Sequence, residues 1–191
     1  MRYRPGHKAE VHKKIVKDAS RRVRTEGLSG AAVAAVMRDT GLTHGGFYKH
    51  FESKDELLLE SLHAAFQEIG DTLSAAAEQS RSEEPWKAIV KTYLSPEYCE
   101  HVERGCPVPA LAPELARAGK TMKGRILAPV VNYKNRMTPY MPGRRAADKE
   151  RAFFAIFSTM VGAVQIARML PDREVQGKVL ASVRDFLLRS F

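Results

Sequence analysis

The fold is decided by residues 41–51, whose sequence is Gly41-Leu42-Thr43-His44-Gly45-Gly46-Phe47-Tyr48-Lys49-His50-Phe51. Gly41 gives the chain the conformational freedom that a tight turn between two helices requires. We predict a short helix before this turn, over 31–39, and a second one after it, over 44–50. Gly45 and Gly46 keep the start of the second helix free of bulky side chains, which permits close approach by another molecule. Two short helices joined in this way have the proportions of a helix-turn-helix.

Longer amphipathic helices are predicted on both sides of this motif. The first covers 8–26, and its apolar residues recur at every fourth position: Val11, Ile15, Ala19 and Val23. The other begins after a capping Ser53, covers 54–79, and is long enough to join this head to the rest of the chain. The expected core of the head is formed by Phe47 and Phe51 with Val23, Val33 and Leu57.

Helical patterns continue to the end of the sequence, without strand-like alternation. We predict helices over 85–94, 109–118, 122–140, 145–169 and 172–190, the third of them kinked by Pro129. The predicted fold is therefore all-α. A three-helix head with the helix-turn-helix occupies 1–54, and a helical body occupies 55–191.

The positive charge is concentrated in the first quarter of the sequence. The formal net charge of the whole is +9, and residues 1–54 hold twelve Lys or Arg against five Asp or Glu. A basic segment beside a nearly neutral body is typical of a nucleic-acid-binding module. The alternative is a solvated face that only aids solubility.

The sequence lacks the patterns of membrane or secreted proteins. The longest apolar segment, 152–169, is interrupted by Ser158, Thr159, Gln165 and Arg168. Residues 1–14 are basic and polar, so we expect no secretory signal. The two cysteines are expected to be reduced thiols. We therefore expect a cytoplasmic protein that does not enter a membrane.

A set of residues around the helix-turn-helix keeps the spacing of a known family: Gly27, Val33, Val36, Gly41-Leu42-Thr43, Gly45-Gly46-Phe47-Tyr48, His50-Phe51, Ser53-Lys54-Asp55 and Leu57-Leu58. In these residues the sequence resembles the DNA-binding domain of the TetR family of bacterial repressors. By this resemblance, Tyr48 and Lys54 match positions that contact the DNA backbone. Thr43, His44 and Gly45 match positions that face bases.

Side-chain chemistry supports the same interface. The hydroxyl, ammonium and imidazole groups of Tyr48, Lys49, His50 and Lys54 suit phosphate oxygens, and backbone N–H groups at the starts of the third and fourth helices are expected to add to them. The alternative for Tyr48 is a packing aromatic. The sequence departs from the family at Ala31 and Ala32, where a hydroxyl usually caps the second helix and meets a phosphate. The basic residues Arg2, Arg4 and Lys8 are expected to compensate.

The resemblance also implies a homodimer, formed by a four-helix bundle of the last two helices from each subunit. The candidate interface residues are Phe153, Ile156, Phe157, Met160, Val161 and Val164 on the penultimate helix, and Val175, Val179, Val183, Phe186 and Leu187 on the last. The alternative is that these residues are buried wholly within the monomer.

By the same analogy, the middle of the chain binds a small-molecule effector that is apolar or aromatic. Its candidate lining consists of Trp86, Tyr93, Leu111, Met122, Ile126, Tyr133 and Met137. These residues equally describe a plain helical core.

Cys106 follows Arg104 at a predicted helix boundary, an environment that lowers a thiol pKa and favours a redox or electrophile sensor. The alternative is a buried structural cysteine. Cys99, His101 and Cys106 lack the spacing of a zinc site, so we expect no metal. A nucleophile elbow and a phosphate-binding Gly-rich loop are also missing from the sequence, so we expect neither a cofactor nor an enzyme.

The sequence thus predicts a transcriptional repressor that binds a palindromic double-stranded DNA operator as a dimer and is released by a small-molecule effector. The alternative is a helical small-molecule-binding or cysteine-based redox or electrophile-sensing protein without specific DNA binding.

Overall fold

The computed structural model describes residues 6–191, which form α-helices and short 3-10 segments with no strand among them. The helices are α1 (His7–Glu26), α2 (Val33–Asp39), α3 (Lys54–Gln79), α4 (Pro85–Tyr93), α5 (Pro96–Glu100), α6 (Pro107–Arg117), α7 (Lys120–Met137), α8 (Ala146–Met169) and α9 (Arg173–Ser190). The 3-10 segments are Gly27–Ala31, His44–Lys49, Val102–Arg104 and Thr138–Tyr140. The predicted all-α class is confirmed.

The head is built on a small apolar core. Its buried members are Ile15, Ala19, Val36, Met37, Phe47, Phe51 and Leu57. Phe47 and Phe51 stack with ring centroids 5.4 Å apart, as expected of the two anchors. Val23 is also buried, but it packs in an adjoining cluster with Ala31, Leu58, Leu62 and Leu111.

Glycines make both tight turns of the head possible. Gly41 has φ of +77°, in the left-handed region, and the Leu42 N–H beyond it donates to the Met37 carbonyl at 2.8 Å, which ends α2. Gly30 lies against α1, where an added Cβ would be 2.4 Å from the Arg22 carbonyl oxygen. The head therefore depends on glycine for a left-handed turn at one position and for close packing at the other.

The predicted recognition helix over 44–50 is instead a 3-10 segment, His44–Lys49. Adjacent glycines disfavour the α conformation, and six residues are too few to nucleate it securely. The second helix starts at Val33 rather than Ala31, because Gly27–Ala31 forms its own 3-10 turn. These differences change helix type and start, but they leave the order of the head intact.

The body differs from the prediction in its middle. α6 begins at Pro107, two residues earlier than expected, since proline is well suited to a first helical turn. α7 begins at Lys120 and ends at Met137, with Pro129 inside it. The prediction missed α5 and the 3-10 segment Val102–Arg104, because elements this short carry no readable periodicity.

α3 belongs to both parts of the molecule. Its first turns supply Leu57 to the head core, and its later turns supply Phe66, Ile69 and Leu73 to the body core. It packs against α1 on one side and against α4 and α7 on the other. Any relative movement of head and body therefore involves this helix.

The body core is rich in aromatic residues and is closed by the pairing of α8 with α9. Phe153, Phe157 and Tyr133 contact one another, and Trp86 and Tyr93 from α4 are fully buried beside them. Among the described residues, α8 is a helix whose length and composition alone would let it cross a membrane, although 39% of the apolar window is buried inside the protein.

Candidate functional site

The residues predicted to face DNA lie together on one exposed surface of the head. Thr43, His44, Gly45, Tyr48 and Lys49 are all exposed, and we call this set the recognition surface. Tyr48 has 69% of its surface accessible, and only the edge of its ring meets Phe47, at a centroid distance of 5.2 Å. Its exposure favours the contact role over the packing role.

Close approach to the recognition surface is unobstructed at its glycine. A Cβ added at Gly45 would meet no atom within 4 Å, so the backbone there faces open space. Thr43 begins the 3-10 segment, but its side chain makes no capping hydrogen bond. The exposed Thr43 hydroxyl is therefore left for other partners.

His50 lies at the edge of the recognition surface and is half-buried. Its ring centroid is 6.0 Å from that of His12, and its Nδ1 is buried without a hydrogen-bond partner. Burial lowers the pKa of His50 below its ordinary value, and the neighbouring His12, Lys8 and Lys49 lower this pKa further. Near neutral pH the imidazole is therefore kept uncharged among cations.

A groove of about 470 Å³ runs beside the recognition surface, between it and the start of α1. Its lining consists of His7, Lys8, Val11, Gly41, Leu42, Thr43, Gly46, Lys49 and His50. Lys8 thus lies where it was expected to supplement phosphate contacts, whereas Arg2 and Arg4 lie outside the described residues. The basic groove extends the recognition surface toward α1.

The start of α3 is capped by its own side chains. The Ser53 hydroxyl accepts from the Glu56 N–H at 3.1 Å, and the Glu56 carboxylate accepts from the Glu52 N–H at 2.5 Å. The N–H groups of Glu52 and Glu56 are therefore occupied by side chains of the protein itself. Lys54 is exposed at the same helix start.

At the start of α2, Ala32 is the capping residue and offers no side-chain hydrogen bond. Ser29, the nearest hydroxyl in the sequence, instead donates to the Glu26 carbonyl at 2.8 Å. The departure from the family noted at Ala31 and Ala32 is therefore a real loss of a cap.

Two arginines of α1 form bonds within the protein. Arg22 donates to Asp39 and to the Gly30 carbonyl, which holds α2 in place. Arg24 has 1% of its surface accessible, donates to Glu68 on α3 at 2.5 Å and donates to the Gly105 carbonyl at 3.2 Å. Sequence reasoning missed Arg24 as a link between head and body.

The predicted effector residues do not all belong to one cluster. Trp86, Tyr93, Tyr133 and Met137 are buried in the body core. Leu111 is buried in the cluster next to the head, where Met122 and Ile126 pack against it. Tyr133 also lines a small cavity of about 30 Å³.

Several polar atoms in or beside the body core have no hydrogen-bond partner: Trp86 Nε1, Tyr93 Oη, Tyr98 Oη and Arg168 Nη2. A buried donor without a partner costs free energy, which makes such atoms candidate ligand contacts. Tyr98 and Arg168 were not predicted as site residues. The sequence signal that pointed to Arg168 was a cation inside an otherwise apolar segment.

Cys106 is buried and unpaired, and the environment expected from Arg104 is not found. Arg104 is exposed, and burial raises the pKa of the Cys106 thiol to about 11. Burial also raises the pKa of Cys99. The expected lowering of the thiol pKa is therefore wrong. Within residues 6–191, no group of three His, Cys, Asp or Glu side chains is placed to hold a metal ion.

A comparison with known protein families finds a match in the head. Residues 15–61 match the model of the family described as bacterial regulatory proteins, tetR family. No curated protein matches the chain.

Solved structures match the chain over nearly its whole length. A TetR transcriptional regulator from Chloroflexus aurantiacus is 22% identical, with a TM-score of 0.74 over 95% of this chain and 96% of that one. A TetR-family regulator from Cytophaga hutchinsonii is 17% identical, with a TM-score of 0.76 over 98% of each chain. The regulator FadR from Bacillus subtilis, solved in complex with stearoyl-CoA, is 13% identical, with a TM-score of 0.65 over 94% of this chain and 98% of that one.

An exposed helix-turn-helix on an all-helical body defines a DNA-binding transcriptional regulator. Residues 15–61 match the DNA-binding domain of the tetR family, and the whole chain has the fold of TetR regulators of known structure.

Proposed function

We propose that the protein is a cytoplasmic repressor that binds a palindromic operator as a homodimer and releases it when a small molecule binds the body. In this proposal, residues 1–54 serve DNA binding and residues 55–191 serve dimerisation and ligand binding. The observation that carries this proposal is the recognition surface, on which Thr43, His44, Gly45, Tyr48 and Lys49 are exposed together beside a basic groove.

Each part of the recognition surface suits one aspect of DNA binding. The open backbone at Gly45 allows the segment to approach base edges, and Thr43 and His44 carry the polar groups that read them. Tyr48 and Lys49, with Lys54 at the start of α3, are suited to phosphates and fix the register. His50, at the edge, is a further phosphate partner.

An unpartnered apolar face on α8 and α9 supports the homodimer. Its exposed large side chains are Phe154, Ile166 and Met169 on α8, and Val175 and Phe186 on α9. An added Cβ at Gly162, on the same side of α8, would meet nothing within 4 Å, so a second helix has room to pack closely. A face of this kind on paired helices suits a twofold four-helix bundle.

This face differs from the one expected from the sequence. Phe153, Ile156, Met160 and Val164 are buried inside the monomer, so their assignment to the interface is wrong. The same holds for Leu187 of α9. Val175 and Phe186 remain in the proposed interface.

The route from body to head runs through α3 and Arg24. α3 carries residues of both cores, and Arg24 joins α1 to Glu68 and to the Gly105 carbonyl. A ligand that binds one arrangement of these contacts more tightly than another shifts the population and changes operator affinity. The FadR regulator from Bacillus subtilis, which has a similar fold, was solved in complex with stearoyl-CoA, and this supports a small-molecule ligand for the present protein.

Selection from random duplex DNA tests the DNA-binding function. We expect the purified protein to enrich a palindromic sequence, with an affinity that falls steeply as salt increases. Tyr48→Phe, which removes only a hydroxyl from the recognition surface, is expected to weaken binding several-fold. Tyr140→Phe, which removes a hydroxyl bonded to Glu78 in the body, is the matched control and should bind normally. Failure to enrich any sequence would overturn the proposal.

Sedimentation of two charge variants tests the dimer. Phe154→Glu places a charge in the proposed interface and is expected to yield monomers. Leu127→Glu places the same charge at a residue of α7 that is equally exposed, at 59% against 54%, and should leave the dimer intact. If both variants sediment as the wild type does, the α8–α9 face is not the interface.

A further inference from the structure

Polar groups of four elements meet at one place in the body, around Cys106 at the start of α6. Tyr93 of α4 faces the Cys106 thiol, and Tyr98 of α5 lies beside the Cys106 backbone N–H. The rings of Tyr93 and Tyr98 are 5.0 Å apart. Arg168 of α8 reaches the same place, because its Nη2 lies 3.0 Å from the position of a Cβ added at Gly105. We call Tyr93, Tyr98, Cys106 and Arg168 the buried donor cluster.

The buried donor cluster has hydrogen atoms to donate, and the side-chain acceptors beside them are the weakly accepting sulfur atoms of Cys106 and Cys99. Tyr93 Oη, Tyr98 Oη and Arg168 Nη2 are all buried without a hydrogen-bond partner, and Tyr93 has 0% of its surface accessible. Burial raises the pKa of both tyrosines well above the ordinary value, so both hydroxyls keep their protons. An acceptor with several lone pairs is the group that satisfies such a set.

The charge at this place is positive. Within the described residues, Arg168 donates from Nε to the Cys99 carbonyl at 3.0 Å and forms no ion pair. The backbone N–H of Val108 at the start of α6 points at the Cys106 thiol, so the helix terminus adds to the positive potential. By contrast, Arg24, which is fully buried, is neutralised by Glu68. An anionic acceptor is therefore favoured over a neutral one.

The cluster is within reach of the solvent. Tyr98 and Arg168 are each only partly buried, although their terminal polar atoms are covered. Tyr98 lies on the five-residue helix α5, which joins α4 to a 3-10 segment.

We infer that the buried donor cluster is the binding site for the carboxylate of a small organic acid, which is the effector of the proposed regulator. Arg168 pairs with the carboxylate, and the hydroxyls of Tyr93 and Tyr98 donate to its oxygens. The apolar part of the acid packs against the neighbouring aromatic residues, of which Phe157 lies 6.5 Å from Tyr93 between ring centroids. This inference rests on the effector-binding part of the proposed function.

The position of the site connects it to the head. Gly105 lies between the two arginines, with Arg168 Nη2 on one side and its carbonyl bonded to Arg24 of α1 on the other. A carboxylate that draws Arg168 toward itself displaces the segment that Arg24 holds. Binding in the body thereby changes a contact made by the head.

Matched acids and amides provide the test. We would measure the melting temperature and the heat of binding of the full chain with acetate, hexanoate and benzoate, each beside its primary amide. The acids are expected to raise the melting temperature and to bind, and the amides are expected to do neither. If no acid binds better than its amide, the inferred site does not exist, and the unpartnered donors are satisfied by water.

Variants of the cluster locate the binding. Arg168→Met is expected to weaken binding of the acid about tenfold or more, because it removes a charge-assisted pair. Tyr98→Phe should weaken it several-fold. Arg151→Met, which removes an exposed arginine from the same helix, is the matched control and should bind as the wild type does. If Arg168→Met does not fold, Arg168→Lys replaces it in the experiment. This variant keeps the charge without the planar guanidinium, so we expect an intermediate loss of affinity for the acid.

Operator release separates this inference from the proposed function. With the selected operator, the binding acid is expected to release DNA from the wild type and not from Arg168→Met. Acid binding that depends on Arg168 but leaves operator affinity unchanged would uphold the site and overturn its role as the effector site. Operator binding without any acid binding would uphold the DNA-binding function and overturn the site.

Discussion

The head and the body of the molecule place their polar groups in opposite directions. Around the small core of the head, Tyr48 and Lys49 are exposed, and Gly45 leaves the backbone open. In the body, Tyr93 and Tyr98 turn their hydroxyls inward, where no partner satisfies them. The difference agrees with the proposal that the head binds a partner on its surface and the body binds one inside. Arg24 is the exception, because it belongs to the head and is buried against the body.

The largest expected effect tests whether the two cores are separate. Phe47→Ala empties the centre of the head core and is expected to destabilise it by about 3 to 5 kcal/mol. Urea unfolding followed by circular dichroism should show an early loss of helix. Trp86, the one tryptophan of the chain, lies in the body core. Its fluorescence should therefore change at a higher urea concentration.

Tyr48→Ala is the control for this experiment, since it removes an exposed aromatic next to Phe47 and should cost less than about 0.5 kcal/mol. Simultaneous loss of helix and change of Trp86 fluorescence in Phe47→Ala would show that head and body unfold as one unit.

The next effect concerns the link between the two parts. Arg24→Met keeps much of the side-chain volume but removes the bonds to Glu68 and Gly105, and is expected to lower the free energy of unfolding by about 2 kcal/mol. The urea midpoint measures this loss. Arg38→Met, which removes an exposed cation of α2, should leave the midpoint almost unchanged. Equal midpoints for the two variants would mean that Arg24 does not stabilise the junction.

A smaller effect sharpens the role of the recognition surface. Lys49→Ala is expected to weaken operator binding several-fold and to reduce the salt slope of log K by about 1, as loss of one phosphate contact does. Fluorescence anisotropy at several salt concentrations measures both quantities. Lys178→Ala on α9 is the control, and its slope should match that of the wild type. A normal slope for Lys49→Ala would remove this residue from the interface.

The smallest effect follows from the lowered pKa of His50. As the pH falls below the ordinary value of 6.5, the unfolded chain binds a proton at this position before the native chain does, so stability decreases. Phosphates near His50 raise its pKa again, so operator binding takes up a proton and strengthens as the pH falls. In His50→Gln, the loss of stability and the gain of operator affinity at low pH should both be smaller than in the wild type. The same pH dependence in His50→Gln and wild type would assign it to other groups.

The sequence predicted the head well because its contacts are local. Phe47 and Phe51 follow a turn that Gly41 requires, and the capping pattern from Ser53 to Glu56 is readable within four residues. The recognition helix was given the wrong type because helix patterns do not distinguish a short α-helix from a 3-10 segment.

The body was harder to predict because its contacts are distant and its helices are apolar on several sides. Phe153 and Phe154 are adjacent in α8, and only tertiary packing, such as the contact of Phe153 with Tyr133 of α7, decides that the first is buried and the second exposed. The bond from Arg24 to Gly105 joins residues 81 positions apart. Apolar periodicity also does not separate a solid core from a cavity, which is why the candidate effector residues fell into two clusters.

Because the shared helix α3 is long, a small tilt about one of its ends produces a large displacement at the other. It contains 26 residues, which corresponds to a rod of about 39 Å at about 1.5 Å per residue. A tilt of roughly 5° about one end of such a rod moves the other end by about 3.4 Å, which is the spacing of successive base pairs along one strand. In a twofold dimer the two heads move in opposite senses, so the displacement doubles across the operator. In the proposed dimer, a tilt of this size is therefore large enough to shift both heads out of register with DNA.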